Sequence, residues 1–155
     1  MAHVEVIENN QDMSRIMNVT EAVGPKWGMP DDVMLVKALL ATALPEYGVP
    51  PSNCSSPSSG TLDSQTLRNI KLFQENVNTV NTAFKSPQRL SVDGRVSRAR
   101  GHFSWDKNHP WTIAYLNYSA SLTARKYGWK SFADMVVELY PHLADILKLD
   151  PADVD

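Results

Sequence analysis

The densest group of potentially reactive side chains lies in the loop from Gly101 to Trp111, which carries His102, Asp106 and His109. Two imidazoles and a carboxylate are the ligand set of many zinc hydrolases, because nitrogen and oxygen donors suit a tetrahedral zinc ion. The spacing is not that of a helical His-Glu-x-x-His site, and no separate glutamate marks a general base. His109-Pro110 leads into an expected helix, so the expectation for this loop is a structural role. Serines are plentiful, yet none occupies a Gly-x-Ser-x-Gly elbow or a Ser-x-x-Lys pattern. The single cysteine, Cys54, has no nearby base and is expected to be an exposed thiol without a role. It also rules out an intrachain disulfide framework and a cysteine zinc site. Seven scattered glycines form no phosphate cradle. These residues predict no catalysis, no metal and no cofactor.

Binding chemistry is better represented. Trp27 lies in the Gly24–Gly28 loop, and Trp105 and Trp111 lie towards the end of a basic stretch. Between Lys85 and Lys107 six bases, Lys85, Arg89, Arg95, Arg98, Arg100 and Lys107, face only Asp93 and Asp106. Aromatic faces stack on flat ligands, and guanidinium groups pair with carboxylates. The expected contact surface therefore comprises Trp27, Asp93, Arg95, Arg98, Arg100 and Trp105, for an anionic partner. The bland alternatives are a solvated loop and tryptophans packed over the core edge. Nucleic acid is disfavoured by a net charge of -2 and by the lack of any recognised nucleic-acid motif.

Three helices must position these loops. Asp31 is expected to cap a helix over Asp32–Leu44, where Val33, Val36, Leu40 and Leu44 recur at three- and four-residue spacing. A second helix, Asp63–Val77, has Leu67, Ile70, Phe73 and Val77 on one face, with Arg68, Lys71 and Glu75 away from it. A third, Pro110–Ala120, carries Ile113 and Leu116. Val92–Val96 reads as a tight turn in which Gly94 is free to take a positive φ. Pro50–Gly60, rich in Ser and Pro, reads as a mobile connection. Beyond Gly128, Ser131 is expected to cap a helix with Phe132, Met135, Val136 and Leu139 on one face; Pro141 ends it or starts another with Leu143, Ile146 and Leu147. Residues 1–22 offer a short strand at His3–Ile7 and little else, and Asp150–Asp155 is an acidic tail. The class expected is mainly α: an N-terminal arm (1–19), a helical domain (20–120) and a C-terminal helical extension (121–155) packed on that domain or on a partner.

Three stretches resemble the peptidoglycan-binding domain family, a small three-helix module. The first is Val23-Gly24, Asp32-Val33, Val36-Lys37 and Leu39-Leu40, with Lys37 where that family usually has Gln. The second is Gly60-Thr61-Leu62-Asp63, Thr66, Ile70 and Phe73-Gln74, with Asn69 where a small Ala is usual. The third is Asp93-Gly94-Arg95-Val96, then Thr112-Ile113 and Leu116-Asn117. Their order and spacing match over about residues 20–120. The stretch Gly48–Gly60 is long for this family and reads as an insertion, and Ser97–His109 replaces a shorter turn. The pattern of the zinc carboxypeptidases that sometimes accompany the domain is absent. The resemblance implies a three-helix core and a non-catalytic module for peptidoglycan or a related cell-wall ligand.

At 155 residues with 43% apolar composition the chain can bury a core without disulfides or metals. It has no basic leader followed by an apolar run and no membrane-length apolar segment. Synthesis in a cytoplasm follows as the expectation, with delivery to the envelope by lysis or as part of a particle. That tension sustains a second reading, a structural or adaptor component of a phage tail or phage-derived injection particle, docking a protein partner or a second copy through 129–155.

Overall fold

The structure, a computed structural model, describes residues 2–9 and 12–149. The acidic tail Asp150–Asp155 lies outside the described residues. The order is β1 (His3–Asn9), β2 (Asp12–Asn18), α1 (Pro30–Ala43), α2 (Ser64–Ala83), β3 (Ser104–Asp106), β4 (His109–Pro110), α3 (Thr112–Lys126), α4 (Phe132–Leu139) and α5 (Pro141–Leu147). The expected mainly α class is corrected to a mixed one. Among the described residues, five helices stand beside two small antiparallel sheets of two strands each.

The strand expected at His3–Ile7 lies within β1, whereas β2 was not expected, and its silence has a physical reason. β1 and β2 pair antiparallel, Val4 opposite Met17 and Ile7 opposite Ser14. Ile16, Met17 and Asn18 are buried in succession. A strand covered on both faces shows no alternation to read. The Asn117 side chain on α3 grips β2, accepting from Met17 N–H at 2.9 Å and donating to Met17 C=O at 2.9 Å. The segment expected to be an arm thus carries Ala2, Ile7, Ile16 and Met17 into the same buried cluster as the helices.

α1 is the central helix. Val33, Val36, Leu40 and Leu44 are buried as expected, and so are Met34, Leu35, Ala38, Leu39 and Ala43. A helix apolar all round belongs inside a core. Asp31 does not cap it: Met29 holds the N-cap position and Pro30 begins the helix, its fixed φ and missing N–H costing nothing there. The carboxylate beside it, Asp32, instead accepts from the incoming chain, Thr20 N–H at 3.0 Å and Glu21 N–H at 3.1 Å.

Asp63 caps α2 as expected, accepting from Thr66 N–H at 2.7 Å. Ile70, Phe73 and Val77 are buried, while Leu67 is half-buried. The helix runs past Val77 to Ala83 because its polar end is held from outside. Asn78 brackets Leu90, accepting from its N–H and donating to its C=O, and Asn81 donates to Gln88 C=O. The Pro50–Gly60 connection is likewise anchored rather than loose. Asn69 donates to Asn53 C=O at 3.2 Å, and Lys37 donates to Ser59 C=O at 3.0 Å and Thr61 C=O at 2.6 Å. Cys54 is half-buried against the core, not exposed, and burial pushes its thiol pKa up.

Burial alone would raise the Asp63 pKa, but the Thr66 N–H and the Lys37 ammonium outweigh it and hold the group at about 2. The folded value lies below the ordinary 3.8, so this contribution is present above pH 3.8 and disappears as pH falls towards 2. Asp63→Asn keeps a capping oxygen. It is expected to flatten the stability profile across that interval in acid titrations of unfolding. Profiles for the two proteins that stay parallel would remove Asp63 from the acid limb.

α3 packs on α1 and runs to Lys126, past the expected end at Ala120. Ser131 caps α4 by accepting from Asp134 N–H at 3.1 Å, and Pro141 begins α5. Phe132, Met135, Val136, Leu143 and Leu147 are buried in the common core, leaving Leu139 exposed. The apolar stripe of 129–155 is therefore largely covered by this chain itself.

Candidate functional site

Gln74 builds the site from the inside. It sits beside Phe73 on the buried side of α2, and its amide serves the Asp93–Val96 turn on all sides. Its Nε2 donates to Asp93 Oδ1 at 3.0 Å, Arg95 C=O at 3.0 Å and Thr112 Oγ1 at 3.1 Å, so its hydrogens are shared. Its Oε1 accepts from Gly94 N–H at 3.0 Å. Gly94 takes φ 69°, a left-handed value that most side chains resist. Asp93 closes the turn by accepting from Arg95 N–H at 2.9 Å. Val96 then pairs with Val23, tying the turn to the tryptophan loop.

That loop closes on itself through paired Gly24–Trp27 backbone bonds of 2.9 and 3.0 Å. Trp27, 51% exposed, is met by the Arg95 guanidinium 4.2 Å from its ring centroid. This cation–π contact holds the guanidinium over the ring. Among the described residues no carboxylate lies within ion-pair distance of Arg95. Arg95 borders two recesses. One, about 260 Å³, includes Trp27, Gly28 and Met29; the other, about 80 Å³, includes Asp93, Trp105 and Trp111. Trp105 is 52% exposed and stacks on His109, with ring centroids 4.7 Å apart. Trp111 is half-buried against the core, so it supports this face more than it presents it.

Four of the six expected contact residues, Trp27, Asp93, Arg95 and Trp105, therefore meet around one turn. Arg98 does not join them. Its guanidinium donates to Glu5 at 3.1 Å, and the adjoining Ala99 is bracketed by Asn18, so Arg98 fastens the 97–100 segment to the N-terminal hairpin. Arg100 is exposed, and its carbonyl accepts from His102 N–H at 2.8 Å. Met29 and His109 belong to the face and were missed. The only local signal for Met29 was its place beside the Trp27 loop, and the stacking partner of Trp105 depends on how its hairpin pairs.

The loop histidines do not assemble into a metal site. His109 Nδ1 lies 2.7 Å from the Asp106 carboxylate, whereas His102 Nδ1 pairs with Glu8 at 3.3 Å. Among the described residues no group of three His, Cys, Asp or Glu side chains is placed to hold a metal ion. No helix among them is long and apolar enough to cross a membrane.

Comparison with protein-family models, curated proteins and solved structures finds no match.

Proposed function

We propose that this chain is a non-catalytic binding module that holds peptidoglycan, or a related anionic cell-wall ligand, on the face around Trp27, Arg95 and Trp105. One observation carries the reading: the Arg95 guanidinium is stacked on Trp27 and borders both the Trp27 and the Trp105 recess. Sugar rings lie well on exposed indole faces, and a fixed guanidinium suits a carboxylate between them. The resemblance of the motif residues to the peptidoglycan-binding family supports the same ligand class. The adaptor reading would dock a partner or a second copy through the apolar stripe over 129–155, and most of that stripe is consumed inside this chain.

The test is retention on purified sacculi. Trp27→Ala with Arg95→Ala removes two side chains at the surface without emptying the core. Retention is expected to fall about tenfold or more, since each contact is worth on the order of 1 kcal/mol. Wild-type retention should also decline as salt rises above about 0.15 M, where exposed ion pairs are screened. Equal retention of variant and wild type would overturn the reading. Arg98→Ala is a poor probe, because it cuts the Glu5 pair that holds the hairpin. Dye release from the same sacculi, with and without zinc, is expected to be nil; sustained release abolished by His109→Ala would make the protein a hydrolase.

A further inference from the structure

Strand β3 turns alternate side chains to opposite sides of its hairpin. Trp105 faces the Arg95 recess, while Ser104 and Asp106 face a separate cleft of about 560 Å³. That volume lies within the range of small-molecule sites, roughly 300–1,000 Å³. One wall of the cleft is aromatic. Phe103 and Tyr115 have ring centroids 6.3 Å apart, and Tyr118 meets Tyr115 edge-on at 5.7 Å. Tyr115 is fixed from behind by an edge contact with Phe73 at 6.4 Å and by donating its hydroxyl to Asn81 at 3.3 Å. Tyr118 is 51% exposed and presents itself to whatever enters.

The rim is polar and mixed in charge. Glu8, at the end of β1, pairs with His102. Backbone bonds of 2.8 Å, Glu8 N–H to Gly101 C=O and Phe103 N–H to Glu8 C=O, lock this corner. The Asp106 carboxylate accepts from Asn108 N–H at 2.8 Å and faces His109 at 2.7 Å, which hold its pKa below the usual range. Lys107 and Gln88 complete the opening.

We propose that this cleft binds an uncharged saccharide unit, its ring against Tyr118 and its hydroxyls on Glu8 and Asp106. Two carboxylates on the rim repel an anion, and Lys107 opposes a cation. A polyhydroxy ligand needs acceptors and donors together: Glu8 and Asp106 accept, Lys107 and the Gln88 amide donate, and Ser104 does either. The aromatic wall supplies the apolar face on which a sugar ring rests. This site stands apart from the Arg95 face and does not rest on the reading proposed for it.

The test is an NMR titration of the full chain with the tetramer of N-acetylglucosamine, an uncharged saccharide. Hyaluronan oligosaccharide serves as the anionic arm and choline as the cationic one. Saturable amide shifts are expected at residues 102–107 and 115–118 with the uncharged probe alone. Tyr118→Ala should weaken that binding about tenfold. Tyr118→Phe should preserve it, and Phe84→Ala, at an exposed ring outside both sites, should leave it unchanged. No saturable shifts, equal or tighter binding of either charged probe, or an unaffected Tyr118→Ala variant would each overturn the proposal. Loss of sacculus retention in the Trp27, Arg95 variant with this titration intact would separate the two sites.

Discussion

Phe73→Ala is expected to lower the unfolding free energy by about 3–5 kcal/mol. Phe73 is 0% exposed and its ring meets Tyr47 edge-on at 5.8 Å and Tyr115 at 6.4 Å. Removing it deletes the apolar transfer contribution and leaves a cavity that α1, α2 and α3 cannot close without moving. Domains of this size are stable by only about 5–15 kcal/mol, so the variant would sit near the limit of folding at ambient temperature. Urea unfolding followed by circular dichroism gives the number, and Phe73→Leu, which keeps most of the volume, serves if the Ala variant does not fold. A loss under about 1 kcal/mol for Phe73→Ala, the size of an arbitrary substitution, would show that the ring is not central. Because Phe73 also backs Tyr115, the Leu variant should perturb the aromatic cleft before it perturbs the Trp27 face.

The second large effect is expected at Lys37, 3% exposed in the middle of α1. Its ammonium donates to two backbone carbonyls and lies 3.7 Å from the Asp63 carboxylate. Hydrogen bonds to charged groups contribute about 1.5–3 kcal/mol each, and they are not additive. Lys37→Met keeps the buried stem and deletes the charge; a loss of about 2–4 kcal/mol follows from the two carbonyls. Limited proteolysis should show new cleavage within 50–60, since Ser59 and Thr61 lose their tether. Unchanged stability together with an unchanged digestion pattern would show that the connection holds itself.

Lys37 and Asn69 act together on the Gly48–Gly60 stretch: Asn69 holds Asn53, and Lys37 holds Ser59 and Thr61. The two side chains and that stretch form one structural unit. Likewise Asp32, Gln74 and Asn117 hold backbone from distant segments, so these side chains maintain the fold.

The sequence by itself determined what short-range forces decide. Periodic apolar residues located α1, α2 and α3; Asp63 and Ser131 identified the caps of α2 and α4; and Asp93-Gly94 identified the turn on which the Arg95 face is built. Each of these signals spans a few residues, because a cap or a turn is satisfied by neighbours in the chain. Tertiary structure alone decided the rest. The β1–β2 hairpin takes its place from Asn117, 100 residues away from Met17, and Arg98 was drawn to Glu5, 93 residues away. The extra length of α2 depends on Asn78 and Asn81 finding the 88–90 backbone. Asp31 lost the capping role to a Pro30 start, and Asp32 spent its carboxylate on Thr20 and Glu21. The basic loop divided into two faces only when β3 paired with β4, which sent Trp105 one way and Asp106 the other. A buried hydrogen-bonding group must find a partner somewhere, but its sequence position does not say where, and that is why the contacts joining distant segments had no local signature.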